Sequence, residues 1–227
     1  AGTLAEQKIA DLQATLRKAG EDWAMLTLPD SIAWLLNIRG SDVAHNPVPL
    51  AFALVPASGK PELYVDPAKI GPEARAHLGK LVKLVADDKT ARAKRAAMSP
   101  PAQARAAIAA EKAVRKALGG RLADLRKAGK RVRLDPGTAA MWFFRKLGAK
   151  SIARGADPCL LPKAKKNATE IKGTRIAHKR DGAAVARFLD AQPDLSAKWR
   201  PTWGRVVPEL LRSETNKVVK RELQRAG

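Results

Sequence analysis

Six short apolar stretches restrict the fold open to this chain more than any other feature. They are DWAMLTL at 22–28, LAFALVP at 50–56, KPELYVD at 60–66, KLVKLVADD at 80–88, RVRLD at 131–135 and KSIAR at 150–154. Each is too short for a buried helix and is bounded by turn formers or charged residues, so each reads as a strand. Between them lie longer segments with helical spacing. In 4–19, Leu4, Ile9, Leu12 and Leu16 recur on one face, and Gly20 stops the run. Residues 32–38, IAWLLNI, form a short helix that Asp30 or Ser31 can N-cap. Ala57-Ser58-Gly59 joins two of the strands as a hairpin over 50–66. Residues 90–128 are rich in Ala, Lys and Arg and helical, apart from a break at Ser99-Pro100-Pro101. A further helix is predicted over 137–148, GTAAMWFFRKLG. Strands alternating with helices predict an α/β domain with a mixed central sheet flanked by helices. Aromatics are few, so Trp23, Trp34, Trp142 and Phe143 are the expected large fillers of an aliphatic core.

Residues 155–170, GADPCLLPKAKKNATE, read as a linker, and Asn167 with Glu170 forms a capping box for a helix reaching about Asp190. Beyond Pro193 the chain is basic and twice interrupted by proline, predicting a basic helical C-terminal appendage. The expected organisation is an α/β domain over 1–160, a linker and helix over 161–190, and a tail over 191–227.

Charge is unevenly spread. The 227 residues carry a formal net charge of +21, yet residues 1–90 hold 10 Lys and Arg against 11 Asp and Glu, while 91–227 hold 33 against 11. Such asymmetry suits either long solvated helices or a polyanion such as nucleic acid. Candidate polyanion contacts are Arg126, Lys127, Lys130 and Arg131, then Lys163, Lys165, Lys166, Arg175, Lys179 and Arg180. In the tail Trp199 and Trp203 interleave with Lys and Arg, a pattern that can stack bases, but no nucleic-acid-binding motif accompanies it. Cys159 is the single cysteine, so no disulfide can form within the chain, and a small buried hydrophobe is its expected role. With no apolar run near the roughly 20 residues of a membrane span and no signal-peptide pattern, a cytoplasmic protein is expected.

The stretch WLLNIRGSDVAHNPVPLAFAL, 34–54, sets polar, geometry-fixing residues between two apolar runs. One reading is a capped turn, with Gly40 closing the helix and Arg39 and Asp42 paired with each other or with backbone. The other is a loop built to touch a ligand, in which Arg39 offers a forked contact to a carboxylate and His45 reaches substrate. Asn46-Pro47 is turn chemistry in either case.

That stretch, with LYVDPAK at 63–69 and DPCLLPKAKKNATEIKGTRIAHKRDGAAVARFL at 157–189, resembles the aminopeptidase P family of Xaa-Pro aminopeptidases. The similarity runs over roughly residues 4–190 and is weakest across 90–128. It implies the middle, creatinase-N-type domain of the three-domain enzymes, followed by the first helix of the catalytic domain. The family removes an N-terminal residue preceding proline, using a pita-bread catalytic domain. That domain binds two manganese ions through two Asp, one His and two Glu. The resemblance also places Asn37, Arg39, Gly40, Ser41, Asp42, His45 and Asn46 on the substrate side of the cleft.

Past Asp190 this sequence departs from the family. Its histidines, His45, His77 and His178, are far apart and none sits in a spaced metal-binding cluster. No catalytic residue and no metal or other cofactor is therefore expected in this chain. The expected role is a non-catalytic scaffold, cleft wall or subunit-association module. Its partner would be a second copy, as a homodimer, or a catalytic domain of the same family. The alternative is a repurposed basic scaffold that binds nucleic acid or a ribonucleoprotein.

Overall fold

The computed structural model describes residues 2–85 and 87–190, so the appendage predicted over 191–227 lies outside the described residues. The described chain divides into two units, one of residues 3–165 and one holding residue 2 and 166 onward.

The larger unit holds α1 (Ala5–Lys18), β1 (Trp23–Leu26), α2 (Pro29–Leu36), β2 (Phe52–Pro56), β3 (Glu62–Tyr64), α3 (Pro72–Leu81), β4 (Lys83–Leu84), α4 (Ala91–Ala96), α5 (Pro100–Lys127), β5 (Val132–Leu134), α6 (Met141–Leu147), β6 (Ile152–Arg154) and α7 (Leu160–Ala164). Its six-stranded sheet has the order β4-β3-β2-β1-β5-β6. Only β2 runs against the others: it pairs antiparallel with β1 and β3, and the remaining ladders are parallel. The α/β class with a mixed, helix-flanked sheet is therefore as expected.

Both faces of the sheet are covered, which is why its strands read as near-continuous apolar runs. Successive residues alternate faces. Ala24, Leu26, Ala53, Val55 and Leu63 join a core with Leu16 of α1, Leu35 of α2 and Leu78 of α3. Met25, Leu54, Tyr64, Val132 and Leu134 join the other core, with Leu122 of α5 and Phe143 of α6. The 50–66 hairpin forms as predicted, with Gly59 at φ +99 in its turn. Phe143 is a core filler, but Trp23, Trp34 and Trp142 are only partly buried.

Several local expectations are corrected. Leu4 is exposed, and α1 instead buries Ala5 and Lys8 beside Ile9, Leu12 and Leu16. Lys8 is held because its ammonium reaches the Trp34 carbonyl and, at 2.6 Å, Asn37 Oδ1. Neither Asp30 nor Ser31 caps α2, because Pro29 already occupies its first turn, where a missing N–H leaves nothing unsatisfied. Asp30 pairs with Lys163, whose hydrogen bond and charge hold its pKa below the ordinary value although burial opposes this.

The strand predicted over 80–88 shrinks to Lys83–Leu84, because Leu78 and Leu81 belong to the last turn of α3 and face the core. The helix predicted from 137 begins at Met141, since the carboxylate and carbonyl of Asp135 draw residues 137–139 into a turn. Within the predicted linker, α7 carries Cys159 against the core at its start, where burial above all raises the thiol pKa. In the second unit α8 (Ala168–Asp190) opens with the predicted capping box: Asn167 Oδ1 accepts from Glu170 N–H, and Glu170 Oε2 accepts from Asn167 N–H, both at 2.9 Å.

Candidate functional site

Because β2 is reversed, the segment leading into it arrives at the carboxyl ends of the five parallel strands. Open α/β sheets bind ligands at that edge. Residues 37–50 lie there, with Asp66 just beyond β3.

Asn37 ends α2 in the left-handed conformation at φ 54, and the Ile38 N–H donates back to the Ala33 carbonyl at 3.1 Å. Its side chain accepts from Lys8 and donates to the Thr3 carbonyl at 3.0 Å. Asn37, not Gly40, is thus the helix cap, and its amide is already engaged in positioning the turn.

Gly40 serves a different need. Its N–H donates to the Pro47 carbonyl at 3.2 Å, and a Cβ at this position would lie 2.6 Å from the Pro49 nitrogen. Only glycine lets the two limbs of the loop approach so closely. Arg39 and Asp42 do not pair. Asp42 Oδ2 accepts from the Leu50 N–H at 2.7 Å and from Lys69 Nζ at 2.8 Å, stapling the loop at both points. Arg39 is exposed and donates one N–H to the adjacent Ile38 carbonyl at 2.8 Å. At the tip the Asn46 N–H donates to the Val43 carbonyl at 3.2 Å and His45 is left-handed at φ 60. Ser41, Val43, His45, Asn46 and Leu50 are exposed.

The opposite wall is built from Asp66. One oxygen accepts the Ala68 N–H at 3.0 Å, capping the turn Pro67–Lys69, and the carboxylate grips the Arg95 guanidinium, which anchors α4. This brings Lys69 and Arg92 to face the loop. Together with Arg39, Gly40, Ser41, Asp42 and Pro49 they line a cleft of about 450 Å³. Sequence reading missed Lys69 and Arg92 as members of this site. Nothing local marks them, because it is the Asp66–Arg95 pair that carries α4 to the loop.

The candidate polyanion contacts fall in both units, Arg126, Lys127, Lys130, Arg131, Lys163 and Lys165 in the larger one. Lys130 pairs with Asp22 at 3.1 Å and Lys163 with Asp30. The Arg131 N–H binds Asp22 at 2.8 Å, and that backbone hydrogen bond is the main reason the Asp22 pKa lies below its ordinary value. Arg126 and Lys127 are exposed at the end of α5, and Lys165 follows α7. Lys166, Arg175, Lys179 and Arg180 belong to the second unit.

Among the described residues no three His, Cys, Asp or Glu side chains form a group that could hold a metal ion. His77 is engaged at 2.8 Å with the Leu36 carbonyl. These residues do not fit a dinuclear centre. No helix among them is long and apolar enough to cross a membrane.

Known proteins are similar to this chain over most of its length. Aminopeptidase P1 of Lotus japonicus is 32% identical over 205 residues, a match covering 83% of this chain and 30% of that protein. A probable Xaa-Pro aminopeptidase P of Arthroderma gypseum is 34% identical over 189 residues, covering 83% and 26%. The crystal structure of the X-prolyl aminopeptidase of Caenorhabditis elegans, described as a cytosolic enzyme with a di-nuclear active site, superposes with a TM-score of 0.65 at 25% identity. That superposition covers 85% of this chain and 28% of that one. The chain therefore spans less than a third of the length of these relatives. The model of the creatinase/prolidase N-terminal domain matches residues 1–170, and the chain belongs to that family.

Proposed function

We propose that this chain acts as the non-catalytic α/β module of an Xaa-Pro aminopeptidase-like protein, in which the 37–50 loop forms one wall of a peptide cleft. The observation that carries this reading is the loop itself. It is stapled by Asp42, sealed at Gly40 and set at the carboxyl edge of the sheet, yet it leaves Arg39, Ser41, Val43, His45 and Leu50 exposed. A rigid loop that turns its side chains outward is suited to contact rather than to core packing. A catalytic domain of the same family or a second copy would complete the cleft. Helix α8 fits the opening of such a catalytic domain, and the cytosolic C. elegans relative supports a cytoplasmic setting.

Co-expression with the catalytic region of an Xaa-Pro aminopeptidase P is expected to yield a complex that co-purifies. Val43→Asp with Leu50→Asp should disrupt it. The purified chain supplied with manganese should release no residue from an Xaa-Pro peptide. Turnover by the chain alone, or no association, would overturn the reading.

One observation favours a second reading, a nucleic-acid-binding scaffold. Arg105, Lys112, Lys116 and Lys127 fall on one side of α5 at about 100° per residue. All four are exposed, and none has an ion-pair partner among the described residues. Filter binding to RNA that weakens steeply with rising salt would support it, and no binding at low salt would remove it.

A further inference from the structure

We propose that the cleft between the 37–50 loop and α4 binds the C-terminal carboxylate of a peptide through the guanidinium groups of Arg39 and Arg92. The site rests on the peptide-cleft reading above and names the chemistry it would recognise. Three cations line the cleft, Arg39, Lys69 and Arg92, against the one carboxylate of Asp42. Asp42 neutralises Lys69 at 2.8 Å. The neighbouring cations are also taken: Arg95 by Asp66, Lys94 by Asp88 and Arg75 by Asp87.

Two guanidinium groups therefore remain. Arg39 uses one N–H on the adjacent Ile38 carbonyl, and Arg92 has no hydrogen-bond or ion-pair partner among the described residues. A guanidinium presents five N–H donors in a rigid fork that matches the two oxygens of a carboxylate. The backbone carrying Arg39 is held by the Gly40–Pro47 hydrogen bond and by the Asp42 staple, so little order has to be gained on binding. The ring of Pro49 lines the cleft beside the two guanidinium groups. That apolar surface suits the side chains of a peptide, whereas an inorganic anion would leave it wet.

The test is an NMR titration of the full 15N-labelled chain with three probes: a short apolar tripeptide with a free carboxylate, the same tripeptide amidated, and inorganic phosphate. The free acid is expected to shift the amides of residues 39–42 and 69, and the amidated peptide to bind at least about tenfold more weakly. Arg39→Gln with Arg92→Gln should weaken the free acid by a similar factor without changing the unfolding midpoint. Equal binding of acid and amide, or unchanged binding by the double variant, would overturn the proposal. Phosphate binding more tightly than the peptide would do so too, identifying a free-oxyanion site instead. The readout is binding by the chain alone. Its failure leaves association with a catalytic partner standing, and failed association leaves carboxylate binding measurable.

Discussion

Arg121→Ala is expected to lower the unfolding free energy by about 2–3 kcal/mol, read from urea denaturation. Arg121 reaches from α5 to Glu62 on β3, with its Nη2 2.9 Å and its Nε 3.0 and 3.1 Å from the carboxylate oxygens. It also stacks over Trp23 at 4.8 Å. Glu62 is buried, so removing the guanidinium leaves its charge with one remaining side-chain donor, the Tyr64 hydroxyl at 2.6 Å. A fully buried broken pair costs about 3–5 kcal/mol; a third of the Arg121 side chain is in water, which argues for the lower figure. Arg121→Ala with Glu62→Gln should recover part of the loss, because no buried charge is then stranded. Equal losses in the single and double variants would show that lost packing on Trp23, and not the ion pair, sets the effect.

The same cluster dictates an alkaline response. Tyr64 is the only tyrosine, and burial first, then the hydrogen bond and charge of Glu62, raise its pKa far above the ordinary 10.0. A raised folded pKa means that the folded state keeps its proton while the unfolded state loses it. This contribution to stability is therefore complete below about pH 10 and declines as pH rises above it. Tyrosinate absorbance is expected to appear together with loss of the far-ultraviolet dichroism. Tyrosinate forming near pH 10 with the dichroism intact would contradict a sealed Tyr64.

Gly40→Ala is expected to cost about 1–3 kcal/mol and to displace the 37–50 loop. The added Cβ would meet the nitrogen and Cα of Pro49 at 2.6 and 2.7 Å, both backbone atoms with no flexible end to swing aside. The loop must open, breaking the Gly40–Pro47 hydrogen bond and moving Arg39 away from Arg92. Carboxylate binding should fall with it. His45→Gly, at φ 60 on the exposed tip, supplies the contrast: relief of left-handed strain offsets the entropy of glycine, and the net change should lie within about 1 kcal/mol. Amide shifts confined to residues 43–47 in His45→Gly, against shifts reaching residue 69 in Gly40→Ala, would verify the distinction. An unchanged loop spectrum in Gly40→Ala would refute the close approach.

Much of the architecture was legible in the chain because the forces that write it are local. Short apolar runs bounded by turn formers marked five of the strands closely, Gly59 marked the hairpin, and the Asn167–Glu170 box marked the start of α8. Leu81 and Val82 misled, because a buried helix end and a buried strand have the same apolar text and only packing tells them apart.

The loop over 37–46 stood out in the sequence, and the order of its residues carried the family resemblance. Its internal wiring did not. That Asp42 chooses Lys69 over Arg39, and that Arg92 joins Arg39 in one cleft, depend on contacts between residues far apart in the chain. Local propensity and periodicity decide which segments become helices and strands. Which charges meet is decided only once the reversed β2 and the Asp66–Arg95 pair have folded distant segments onto one edge of the sheet.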